Sequence, residues 1–272
     1  MGLAVVAIFL AASAPSVAAE ASPPRHLIYL HGRIVQSQQS ARPRHPQFGY
    51  YELESILGAF RDRGFVVSGE IRPRAASVSG SANQVVAQVR RLLESGVPAD
   101  RVTVVGASMG AGIALVASAR LQNPNLRFCV LGACLSESVR GLLADEGKAP
   151  SGHLLSIREA SDDSTGACPP WKNDVESRSR LIVRELVLDT GLGHGFLYRP
   201  LPEWVDPVVE WAGGRKGRPY GTERPARLYP SRKAARWLTA DSRGFSFPVS
   251  RFPFPGPGRP FSPGYSPGSS SP

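Results

Sequence analysis

The chain has 272 residues, with 32 Lys and Arg against 22 Asp and Glu, a formal net charge of +10. That charge is unevenly placed: residues 213–272 carry 11 Lys and Arg against 2 Asp and Glu, so residues 1–212 carry only +1. The near-neutral body excludes a polyanion such as nucleic acid as the partner its charge implies. No Cys-x-x-Cys or His–Cys spacing points to a metal site.

Residues 1–19 open with a Leu-, Ala-, Val- and Ile-rich run and end in Ser-Val-Ala-Ala. This pattern predicts a secretory signal cut near Ala19, hence a secreted or periplasmic protein. The run is too short for a comfortable membrane span. A strand is expected over His26–Leu30, ending in His31-Gly32. Gly32–Gly49 reads as a long polar loop, flanking a site or mobile, with His45 solvated within it. A helix is expected over Tyr50–Arg63 and a strand over Phe65–Ile71. Ser81–Glu94 places Val85, Val89, Leu92 and Leu93 at helical spacing.

Val102–Val105 is a β-branched run of the buried-strand type, and Ala111–Ala119 reads as an Ala-rich helix. Between them lies Gly106-Ala107-Ser108-Met109-Gly110, a G-x-S-x-G. A serine on a sharp strand-to-helix turn holds its hydroxyl clear of the backbone, and the glycines leave room for the turn. Strands are further expected over Arg127–Ala133, His153–Arg158 and Ile182–Asp189, with Leu135–Gly152 leaving little sequence for a lid. Trp204, Val205, Val208 and Trp211 mark a final amphipathic helix. The alternation predicts an α/β fold: a mostly parallel sheet of six strands covered by helices over residues 20–212. Residues 213–272 are basic and rich in Pro, Gly and Ser, a composition that predicts a disordered tail. Its interleaved Arg, Phe and Tyr make an anionic surface its candidate partner; a solvated extension is the alternative.

A serine nucleophile needs a base. Of the five histidines, His194 stands in Gly191-Leu-Gly-His-Gly-Phe196, just past the carboxyl end of a strand and on the same sheet edge as Ser108. His26 and His153 begin strands at the opposite edge. The acid that would orient the imidazole is sought in Glu159-Ala160-Ser161-Asp162-Asp163: Asp162 first, then Asp163, then Glu159. No motif fixes this choice.

With Ser108, then Asp162, then His194 in chain order, the sequence resembles the α/β-hydrolase superfamily, nearest to small lidless serine esterase-like members. The resemblance runs from about Arg25 to Ala212 and rests on the Ser108 turn, the His194 loop and His31-Gly32. It implies a serine hydrolase cleaving an ester or similar acyl bond of a small-molecule substrate, with no metal or organic cofactor. It also implies an oxyanion hole from the backbone N–H groups of Met109 and Arg33, and makes His31 a turn residue instead of a base. Cys134 and Cys168 follow strands expected to be neighbours and are the candidate disulfide pair, against three free thiols. An alternative for the whole chain is a hydrolase-fold binding or scaffold protein whose triad is unused.

Overall fold

The computed structural model describes residues 22–133, 137–163 and 181–214; the side chains of residues 137 and 138 are outside that description. The leader expected at 1–19, the candidate pair Cys134 and Cys168, and the residues from 215 onward of the expected tail lie outside the described residues. Contacts divide the chain into units Met1–Leu228 and Tyr229–Pro272, and the second is wholly outside them.

Six parallel strands form the central sheet: β1 (Arg25–Leu30), β4 (Phe65–Ser68), β5 (Val102–Ala107), β6 (Arg127–Leu131), β7 (Gly152–Glu159) and β8 (Leu181–Leu188). Their spatial order is β4-β1-β5-β6-β7-β8. A two-stranded ribbon, β2 (Arg44–His45) with β3 (Gly49–Tyr50), stands apart. Among the described residues the α-helices are α1 (Arg33–Gln38), α2 (Leu53–Arg61), α3 (Val78–Glu94), α4 (Met109–Leu121), α5 (Glu137–Glu146) and α6 (Pro202–Ala212).

The central strands are largely apolar because the sheet is covered on both faces there. Side chains alternate across it. Leu27, Tyr29, Val105, Ala107, Cys129 and Leu131 join a core with Ile56 and Phe60 of α2 and with Trp204 and Val208 of α6. Ile28, Leu30, Val102, Val104, Phe128 and Val130 join a second core with Val85 and Val89 of α3 and with Ile113 and Leu115 of α4. Leu53, Ile56, Leu57 and Phe60 of α2 are each at most 2% exposed. Burial of those four side chains contributes about 6–12 kcal/mol before entropy is set against it.

Helix ends follow local chemistry. The Ser77 hydroxyl accepts from Gly80 N–H at 3.0 Å and starts α3. Pro202 occupies the first turn of α6, where its missing N–H leaves no hydrogen bond unmade.

Three expectations are corrected, over Gly32–Gly49, at His45 and at the end of the strand expected over Phe65–Ile71. Gly32–Gly49 is not a loop throughout: it holds α1, β2 and the first residue of β3. Tertiary bonds set α1. Gln36 is buried and its side-chain amide donates to Arg74 O (3.1 Å) and Ala76 O (2.8 Å). His45 is not solvated. It is half-buried, with its ring stacked on Phe48 at a 4.6 Å centroid separation. Leu135–Gly152 contains α5, whose Val139 packs so close to Gly112 of α4 that a β-carbon there would sit 2.7 Å from it. The strand expected to reach Ile71 ends at Ser68.

Candidate active site

From β1 the chain crosses to β4 on one side, then returns to β5 on the other side of β1. Such a reversal opens a crevice at the carboxyl ends of the two strands. His31-Gly32-Arg33 follows β1 and Ser108 follows β5, so both border that crevice. A β-carbon on Gly32 would lie 3.6 Å from Ser108 Cβ.

Ser108 has φ 53° and ψ −116°, a backbone that side-chain-bearing residues rarely adopt. Its N–H donates to Leu131 O at 2.8 Å and its carbonyl accepts from Ala111 N–H at 2.9 Å. Two glycines make the turn possible. A β-carbon on Gly106 would meet Gly110 O at 2.2 Å, and one on Gly110 would meet Leu30 O at 2.0 Å. Neither backbone oxygen has room to yield, so the turn admits no larger residue at these positions without moving β1 or α4.

His194 lies on a 3-10 turn, Gly193–Tyr198, after β8. Its Nε2 is 3.0 Å from Ser108 Oγ, and its Nδ1 is 2.6 Å from Asp162 Oδ2. With Nδ1–H donating to the carboxylate, Nε2 is left to accept from the hydroxyl. The Asp162 side chain is 1% exposed and that of His194 is 18% exposed, so the acid is sealed while the imidazole edge reaches the cleft.

The three candidate acids separate by burial and partners. Asp163 is exposed. Glu159 is buried and accepts from Thr190 N–H (3.1 Å), Thr190 Oγ1–H (2.8 Å), Gly191 N–H (3.2 Å) and the Ser161 hydroxyl (3.2 Å). It therefore ties the loop before His194 to the end of β7. Asp162 alone among the three meets the imidazole. The sequence offered no local sign of this clamp, because Thr190 and Gly191 lie about 30 residues from Glu159 along the chain.

Met109 and Arg33 are the first residues of α4 and α1. At that position a backbone N–H has no partner within its own helix. The loop carrying Arg33 is braced from behind. His31 is fully buried; its Nδ1–H donates to Gly32 O at 2.9 Å, and its Nε2 accepts from Arg72 N–H at 3.1 Å. Burial, then the nearby Arg72 cation, push its pKa down from 6.5 to about 4, so it stays neutral. Arg72 donates from Nη2 to His31 O at 2.6 Å and from Nε to Gln36 Oε1 at 3.1 Å. Burial lowers its pKa to about 10, still well above neutrality. Tyr29 and Tyr51 share a 2.7 Å hydroxyl contact nearby; burial raises both, Tyr51 to about 12, so both remain phenols. Arg72 and Gln36 carry no motif and escape sequence reasoning.

The cleft over Ser108 and His194 has a volume of about 350 Å³ and lies within the 300–1,000 Å³ range of small-ligand sites. Ile34, Pro46, Leu197 and Tyr198 give it apolar walls. The ribbon closes one side, with the Phe48 ring centroid 6.3 Å from that of His194 and 5.4 Å from that of Tyr198. Among the described residues no group of three or more His, Cys, Asp or Glu is placed to hold a metal ion. Among the same residues no helix is long and apolar enough to cross a membrane. Cys129 is buried in the sheet core and unbridged, and burial raises its thiol well above the usual range.

No family model matches the chain. An acetyl-hydrolase of Streptomyces hygroscopicus is 31% identical over 112 residues, which is 41% of this chain and 35% of that protein. The chain thus matches about a third of its curated relative's length. Among solved structures, esterase B from Lactobacillus rhamnosis is similar at 14% identity and a TM-score of 0.45, over 69% of this chain and 73% of that one. The ydeN gene product from B. subtilis is similar at 13% identity and a TM-score of 0.45, over 70% of this chain and 99% of that one. The sheet order, the serine turn after β5, and the Ser108, Asp162, His194 succession along one sheet edge have the arrangement of the α/β-hydrolase fold.

Proposed function

We propose that the chain is a small serine esterase-like hydrolase that cleaves an ester or similar acyl bond through an acyl-enzyme intermediate. The observation that carries this reading is the continuous hydrogen-bonded relay from Ser108 Oγ to His194 Nε2 (3.0 Å) and from His194 Nδ1 to Asp162 Oδ2 (2.6 Å).

The chemistry follows from the atoms. As Ser108 Oγ attacks the substrate carbonyl, His194 Nε2 takes its proton. The buried Asp162 carboxylate stabilises the imidazolium and holds the tautomer that leaves Nε2 free. The carbonyl oxygen gains negative charge and is met by the N–H groups of Met109 and Arg33; loss of one such donor costs about 3–4 kcal/mol of barrier. His194 then gives its proton to the departing alcohol, leaving an acyl group on Ser108. Water repeats the attack with His194 again as base, which frees the acid and restores the serine. Every step uses protein groups and water alone. The similarity to an acetyl-hydrolase supports an acyl substrate.

A fluorophosphonate probe should label the wild-type protein at Ser108, and Ser108→Ala should neither label nor turn over p-nitrophenyl acetate. A folded wild-type protein that never labels, or a Ser108→Ala variant with full activity, overturns the reading.

A further inference from the structure

The cleft walls carry an uneven charge. Its described lining includes Arg33 and Arg44 and contains no Asp or Glu. Both arginines are exposed residues. Three carboxylates of the surrounding elements are engaged elsewhere. Glu52 accepts two 3.1 Å bonds from Arg42, Asp162 faces His194, and Glu159 faces Thr190 and Gly191. This positive field is local, because residues 1–212 carry only +1 in total. A cleft of one sign with low-dielectric walls focuses its potential on whatever enters.

The geometry also sets where the charge sits. Arg33 adjoins Gly32, which packs on Ser108. Arg44 begins at a fixed point: its N–H donates to Gln38 Oε1 (3.3 Å), and Gln38 Nε2 donates to Arg44 O (3.1 Å). Gln38 ends α1 and Arg33 begins it, a rise of about 7–8 Å. Arg44 reaches past the aromatic ring of Tyr50, 5.9 Å from its centroid. Two arginines, one at each end of α1, thus line the same cleft as Ile34 and Leu197.

We propose that this site, acting as the hydrolase described above, selects esters that carry an anionic group, a carboxylate or a phosphate, a few atoms from the scissile carbonyl. Arg33 and Arg44 are its specificity-determining side chains. The anion belongs to either the acyl chain or the alcohol, and both are read by the same pair of guanidinium groups.

Paired esters test this in the full-length protein. In the acyl arm, mono-p-nitrophenyl glutarate is compared with p-nitrophenyl valerate. In the alcohol arm, 4-acetoxybenzoate is compared with its methyl ester. In at least one arm kcat/KM should favour the anionic member by about five- to tenfold at low ionic strength. The preference should shrink in 0.5 M salt and disappear in the Arg33→Gln, Arg44→Gln double variant, with Arg44→Gln alone intermediate. Equal or better turnover of the neutral member in both arms overturns the proposal. A preference that survives in the double variant overturns it too, by tracing the charge to another source such as the basic tail. If the wild type hydrolyses no ester and resists the fluorophosphonate probe, the hydrolase reading is what fails. Calorimetric binding of glutarate monomethyl ester, lost in the double variant or absent from both proteins, then decides the anion site by itself.

Discussion

Replacing Ser108 by glycine should stabilise the fold relative to replacing it by alanine, while both changes abolish turnover. Ser108 is held at φ 53° and ψ −116° by its N–H bond to Leu131 O and by the tight seat of Gly106 and Gly110. A residue with a β-carbon pays about 1–3 kcal/mol for such a backbone. Ser108→Ala and Ser108→Gly both lose the hydroxyl and its 3.0 Å contact to His194, so their difference isolates the β-carbon. Glycine relieves the strain but adds about 0.5–1 kcal/mol of unfolded-state entropy. The balance favours Ser108→Gly over Ser108→Ala by about 1 kcal/mol. For a body of this size that is a rise of about 2–4 °C in melting temperature. Urea unfolding followed by circular dichroism, together with thermal melts at neutral pH, reads both quantities. A Ser108→Gly protein that melts below Ser108→Ala would show that the turn stores no strain and would refute the reasoning.

Two further outcomes follow from buried groups. Glu159→Ala strands the N–H groups of Thr190 and Gly191 without their acceptor. The variant should lose about 3 kcal/mol of stability and, as the His194 loop loosens, at least about tenfold in kcat; an unfolding midpoint equal to wild type speaks against the clamp. His31 has its pKa lowered in the folded state from 6.5 to about 4. The unfolded chain therefore binds a proton that the folded chain refuses. The contribution is fully present above pH 6.5 and is lost as pH falls towards and through about 4, amounting to about 3 kcal/mol. His31→Gln should remove this part of the acid sensitivity. Urea unfolding at pH 7.5, 5.5 and 4.5 checks it, and identical slopes in variant and wild type would contradict the assignment.

The sheet and the place of the candidate nucleophile were legible in local sequence. Apolar runs such as Val102–Val105 and Leu27–Leu30 are buried on both faces whatever surrounds them, so their strand character is legible locally. The Ser108 turn is equally local, because Gly106 and Gly110 are needed within one turn of the serine. Chain order then puts Ser108, the acidic cluster and His194 at one edge of a parallel sheet. Tertiary structure decided the rest. Asp162, Asp163 and Glu159 have the same chemistry and differ only in what faces them: an imidazole, water, or the N–H groups of Thr190 and Gly191. The helix α1 and the bracing by Arg72 were hidden for the same reason. Gln36 finds its acceptors at Arg74 and Ala76, and Arg72 finds His31, each about 40 residues away. A polar side chain takes its role from its partner, and a partner that distant in sequence becomes a neighbour only when β1 and β4 pair.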